Sequence, residues 1–86
     1  MELKEQFEQA AQDVQRLKSA PGNDDKLKLY ALFKQASQGN VSGKKPGMFD
    51  LVGKAKYDAW EKLQGMSAEE AMRAYIAKVT ELLNAE

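Results

Sequence analysis

The sequence predicts an all-α fold, a small antiparallel helix bundle. Three observations carry this expectation. Apolar residues recur at spacings of three and four in four separate stretches. No stretch alternates as a half-buried strand would. Breaks rich in glycine or proline divide the four stretches. At 86 residues the chain suffices for one small domain, expected to span 1–86.

The first helix is expected from Leu3 to Ser19. Leu3, Phe7, Ala10, Ala11, Val14 and Leu17 form its stripe, and Pro21 and Gly22 in "APGN" stop it. The second is expected from Asp24 to Gln38, capped by Asn23 or Asp24 and ended by Gly39. It is apolar on two sides. Leu29, Leu32, Phe33 and Ala36 make one face; Leu27, Tyr30 and Ala31 make another, with Lys34 among them. One face can enter the core, and the other must meet something else.

"GNVSGKKPGM" follows as a loop, long for a compact domain, and long loops are often functional. The third helix is expected over about 50 to 64, ended by Gly65. Val52, Ala55, Ala59 and Leu63 form its apolar stripe, with Trp60 beside it. Lys56 falls inside that stripe, where an amphipathic pattern wants an apolar group. Gly53, within the helix, is expected to permit a close helix contact. Ser67 and Glu70 then form a capping box that opens the fourth helix. Its core stripe is Met72, Ile76, Val79 and Leu83, with Tyr75 and Leu82 on the flank.

Composition narrows the function. Residues are 43% hydrophobic and 30% charged, as in soluble globular proteins. A net charge of zero argues against a dedicated nucleic-acid binder. Cysteine and histidine are both absent. Disulfides, thiol catalysis and thiolate metal sites are excluded, and the commonest general base and metal ligand is missing. No metal, cofactor or catalytic constellation is expected. "MELKEQFEQ" has no apolar signal core, and no apolar run approaches the ~20 residues of a membrane span. A cytoplasmic protein is the expectation. The charge is segmented: 1–25 carry −3, 26–62 carry +5 and 63–86 carry −2. A basic middle can steer a small anion to one place.

Aromatics and lysines supply the remaining chemistry. Tyr30 and Lys34, four apart, are neighbours on one helix. Phe33 adjoins Tyr30, Lys56 faces out from the third helix, and Tyr75 edges the fourth. By pattern alone such aromatics are more often core or core-rim residues, and such lysines more often snorkel. Phosphate nevertheless wants ammonium groups and a phenol, and a purine wants a flat ring. A ligand with phosphates, a purine and an apolar tail would use them all.

Three stretches raise that reading. "YALFKQASQGN" (30–40) resembles the Y-x-x-Y-K-Q-A-T-x-G-D segment of the acyl-CoA-binding protein family. "KPGMFDLVGKAKYDAWEKLQGMS" (45–67) resembles that family's R-P-G-M-x-D-x-x-G-K-A-K-W-D-A-W core, its most specific part. "EEAMRAYIAKV" (69–79) resembles its A-M-x-A-Y-I segment. The resemblance covers essentially the whole chain. It implies a four-helix up-down-down-up bundle that binds medium- to long-chain acyl-CoA esters as an intracellular, non-enzymatic carrier and pool former. It implies a monomer with fatty acyl-CoA as its small-molecule ligand, without nucleic acid or stable membrane insertion. Acyl-CoA-using enzymes are possible recipients.

Carried over by position, the resemblance sets Tyr30 and Lys34 on the 3′-phosphate and Phe33 against adenine. Lys56 would contact the nucleotide end, and Tyr75 the adenine–ribose region. Ala10, Leu27 and Ala31 would line the acyl groove. Gln15 is carried to the head group as well, standing where many members have lysine and supplying no charge. Phe33 replaces the usual tyrosine, keeping the ring and losing a hydroxyl, and Tyr57 replaces a tryptophan. On this reading Lys56 sits in the apolar stripe because that side of the helix faces a ligand groove as well as the core. A different class of function is a helical interaction module that grips a partner helix with the second face of helix 2.

Overall fold

The computed structural model describes residues 1–86 and contains four α-helices without strands. They are α1 (Leu3–Asp13), α2 (Asn23–Gln38), α3 (Leu51–Glu61) and α4 (Ala68–Asn84), with a 3₁₀ turn over Val14–Arg16.

Contacts at the helix ends give the directions. Leu3 and Gln6 of α1 lie beside Arg73 and Ile76 of α4, and the Lys18 N–H donates to the Glu86 carboxylate. The two helices therefore run the same way. Lys78, late in α4, reaches Asp25 at the start of α2 at 2.8 Å, so α2 runs opposite to α4. Lys26 and Leu27 share a crevice with Leu51 and Val52, so the starts of α2 and α3 lie together. Their ends lie together too: Gln35 Nε2 donates to the Met66 carbonyl at 2.8 Å. The order is up-down-down-up. Parallel neighbours need a connection that travels back along the helix, which accounts for the long segment between Gln38 and Leu51.

The core is built by α1, α2 and α4. Phe7, Ala10, Leu29, Leu32, Ala36, Ala71, Tyr75 and Val79 form it. The expected core face of α2 is thus inside, except that Phe33 sits at its rim. On α4 the centre of the buried face is Ala71–Tyr75–Val79, with Met72, Ile76 and Leu83 only partly buried. Tyr75 is central and not on a flank, because α1 and α2 approach from either side of its turn. The capping box is formed in both directions.

Three elements differ from expectation. α2 begins at Asn23 with Gly22 at its N-cap, so neither Asn23 nor Asp24 caps it with a side chain. α1 stops at Asp13, tightens into the 3₁₀ turn, and Leu17 turns to an extended ψ of 136°. Continuing to Ser19 would carry Leu17 past the bundle. By turning, Leu17 comes to border a crevice with Pro21 and Leu82 at the end of α4. In α3 the buried residue is Trp60, while Val52 is exposed. α3 packs chiefly on α2, so its first turns have no core to enter. Gly53 makes room for the cap of α3. Its N–H donates to the N-cap carboxylate of Asp50 at 3.0 Å, and a Cβ there would meet that carboxylate at 2.3 Å.

Alkaline pH is expected to lower the stability of this bundle. The hydrogen bonds from Lys78 to Asp25 and Glu81 raise its ammonium above the usual 10.5, and burial raises the Tyr75 phenol above the usual 10.0. A raised folded-state value contributes stability below the unfolded value and loses it as pH rises through the folded one. Thermal melts should be flat near neutrality and fall above pH 10.5, and Lys78→Met should lose the lysine's share of that fall.

Candidate functional site between α2 and α3

Tyr30 and Lys34 stand one turn apart on the side of α2 that faces α3. Lys34 Nζ lies 6.0 Å from the Tyr30 ring centroid and 5.1 Å from that of Trp60. Lys56, from α3, brings its Nζ to 5.3 Å from the same Tyr30 ring. Two ammonium groups from parallel helices thus lie against one phenol ring. Neither has a carboxylate within salt-bridge distance, whereas Lys45 and Lys78 both do. The ring lowers the energy of each cation, and with no carboxylate beside either one both charges are left for an anion to offset.

The position of Lys56 follows from α3. Asp50 caps the helix, and Trp60 anchors it: its indole N–H donates to the Gly39 carbonyl at 2.8 Å. Gly39 has a φ of 81°, a left-handed turn that glycine adopts without strain. Asn40 Oδ1 accepts from Gln35 Nε2 at 2.9 Å and from the Gly65 N–H at 2.8 Å, joining both helix ends. Lys45 pairs with Asp58 at 3.0 Å and straps the loop along α3; that hydrogen bond raises the Lys45 ammonium above its usual value. Lys56 itself is exposed, and so is Val52 one turn before it. That side of α3 faces a crevice and solvent and has no contact with the core.

On the other side of Tyr30, Phe33 completes an aromatic triangle with Phe7 and Tyr75. The centroid separations are 5.3 Å from Phe33 to Phe7, 5.1 Å from Phe7 to Tyr75 and 5.9 Å from Phe33 to Tyr75. Phe7 and Tyr75 are buried, and Phe33 keeps 40% exposure, a ring held by two others and open on one side.

Two crevices run along the α2–α3 contact. One, of about 350 Å³, is lined by Asn23, Lys26, Leu27, Leu51, Val52, Ala55 and Lys56. It shares Lys56 with the cation cluster, and four of its seven lining residues are apolar. The other, of about 470 Å³, lies by Ala31, Ala59 and Leu63 and carries Asp24 and Asp58 beside Lys28 and Lys62. Although larger, it lacks Tyr30, Lys34 and Lys56, and its two lysines are matched by two carboxylates.

Of the residues named from sequence, Tyr30, Lys34 and Lys56 come together, and Leu27 lines both crevices. Phe33 and Tyr75 are in contact with each other. Ala31 lines the larger crevice only. Ala10 is packed in the core beside Phe7 and lines neither crevice. Gln15 is exposed on the 3₁₀ turn. Sequence reading missed Trp60 as the ring under Lys34 and Val52 as a crevice wall. The first had no signal, because Lys34 and Trp60 meet across two helices; the second was disguised by its place in an apolar stripe. The second face of α2 is covered by α3, so it is not free to grip a partner helix.

Comparison with known proteins adds to this geometry. The family model described as Acyl CoA binding protein matches residues 4–79. The acyl-CoA-binding protein homolog of Manduca sexta is 57% identical over 96% of this chain and 93% of its own length. The acyl-CoA-binding protein of Brassica napus is 50% identical over 100% and 94%. The crystal structure of Oryza sativa acyl-CoA-binding protein 2 superposes with a TM-score of 0.93 at 45% identity, covering 98% of this chain and 93% of that one.

Proposed function

The chain belongs to the acyl-CoA-binding protein family, and we propose that it binds medium- to long-chain acyl-CoA esters and carries them as a monomeric, non-enzymatic cytoplasmic protein. One observation supports the binding site above all: two ammonium groups without carboxylate partners meet on the Tyr30 ring, at the head of an apolar crevice. Phosphates of the nucleotide end meet Lys34, Lys56 and the Tyr30 hydroxyl. The adenine stacks on the open side of Phe33, which Phe7 and Tyr75 hold in place. The acyl chain leaves the phosphates along Leu27, Val52, Ala55 and Leu51. Ala10 and Ala31 then serve from behind, as small residues that let the helices close up, and Gln15 lends an exposed amide at the rim.

A calorimetric titration with a series of esters tests this reading. Each methylene buried should add ~0.8 kcal/mol until the crevice is filled, and free CoA should bind far more weakly. Equal affinity for CoA and a long-chain ester would remove the crevice from the account.

Phe33 offers a narrower test. Phe33→Ala is expected to weaken ester binding by ~1–3 kcal/mol, the range for base–aromatic stacking. Phe33→Tyr should be neutral or mildly favourable. Parental affinity in Phe33→Leu would make the ring a rim filler.

A further inference from the structure

The crossover loop ends in an apolar tip of which the binding site uses only Leu51 and Val52. Met48 is 73% exposed, Phe49 95%, Leu51 73% and Val52 67%. Leu51 and Val52 also wall the smaller crevice; Met48 and Phe49 touch neither crevice. A tight turn, with the Asp50 N–H donating to the Gly47 carbonyl at 3.0 Å, thrusts the pair outward. Residues 44–56 hold four lysines and one aspartate, and that aspartate is occupied as the α3 N-cap. Lys45 is paired with Asp58, which leaves Lys44, Lys54 and Lys56 without a carboxylate partner around the tip.

We propose that the Met48–Phe49 tip and its lysines dock the protein reversibly on the surface of a bilayer containing anionic phospholipid. The charge selects the occupant. Lysines beside projecting apolar side chains suit a negatively charged headgroup layer over hydrocarbon. The area excludes a stable protein partner or second copy. Four side chains offer a few hundred Å², well below the ~800 Å² per partner of a specific interface. Shallow insertion needs no matching surface. The tip adjoins the open end of the Leu27–Val52 crevice, so a docked molecule holds that crevice against lipid. This last consequence rests on the carrier reading; the docking does not.

The test is flotation of the ligand-free protein with vesicles of phosphatidylcholine alone, or of phosphatidylcholine mixed with an equal amount of phosphatidylserine. The parent should float with the mixed vesicles, less at high salt, and weakly or not at all with phosphatidylcholine alone. Phe49→Ser should reduce partitioning about tenfold or more, in line with an aromatic ring left in water. Lys44→Gln combined with Lys54→Gln should remove much of the salt-sensitive part. Helical content by circular dichroism, and acyl-CoA affinity measured without vesicles, should be unchanged in both variants. Parental vesicle binding by Phe49→Ser, no vesicle binding by the parent, or a concentration-dependent dimer lost with Phe49 would each overturn the proposal. So would a loss of acyl-CoA affinity in Phe49→Ser with vesicle binding retained, which would make the tip a lip of the ligand groove. Failure to bind acyl-CoA at all would instead strike the carrier reading alone.

Discussion

Replacing Lys34 and Lys56 together by methionine is expected to weaken binding of a long-chain acyl-CoA ester by ~3–6 kcal/mol, twice the range of one hydrogen bond to a charged group. The two ammonium groups approach one Tyr30 ring from separate helices, so each single change should leave the other cation in place. Lys56→Met alone should lose ~1.5–3 kcal/mol of affinity and flatten its salt dependence. Its stability without ligand should hold within ~0.5 kcal/mol, since the side chain is exposed and unpaired. Lys34→Met should also lose the contact with Trp60, ~0.5–1 kcal/mol of stability. Calorimetry at two salt concentrations and a urea melt separate the two effects. Full affinity in the double variant would place the phosphates elsewhere.

Trp60→Ala is expected to lose ~3–5 kcal/mol of stability, the range for truncating a buried large aromatic. The reason is local. Trp60 is the buried residue of α3, and its N–H holds the Gly39 carbonyl at the start of the crossover. Without it α3 has little to keep it on α2. The loss should appear in urea melts as a lower midpoint, and ester binding should fall with it because Lys56 rides on α3. Trp60→Phe keeps most of the packing and drops the N–H, so ~0.5–1.5 kcal/mol is expected. Parental stability in Trp60→Ala would show that α3 is held by other contacts.

Periodicity exposed α2 as a two-faced helix because its faces really have two neighbours: Leu29, Leu32 and Ala36 meet the core, and Leu27 and Ala31 look toward α3. The Ser67–Glu70 box marked the start of α4 because capping is a local contact. Periodicity failed where burial depends on an element distant in sequence. The Val52–Leu63 stripe of α3 looked like a core face, yet its first turn has no partner. Tyr75 looked peripheral because nothing in α4 alone tells that Phe7 and Phe33 arrive from both sides. The end of α1 was overrun for a related reason: the turn at Leu17 is set by Pro21 and Leu82, not by a breaker within the helix. The cation cluster was half legible. Tyr30 with Lys34 is an i, i+4 pair, but bringing Lys56 to the same ring requires α2 and α3 to be parallel, which spacing does not encode.

Backbone amide shifts of the isotope-labelled protein, followed by two-dimensional NMR during addition of a long-chain acyl-CoA ester, test the central claim most directly. The large changes are expected in α2 and α3 around Leu27, Tyr30, Lys34, Val52 and Lys56, with a second group at Phe33. Free CoA should reproduce the changes near Tyr30, Phe33 and Lys34 and leave those near Leu27 and Val52 unmoved. Changes centred instead on Ala31, Asp58 and Lys62, or spread over α1 and α4 with the Tyr30 cluster silent, would contradict the site.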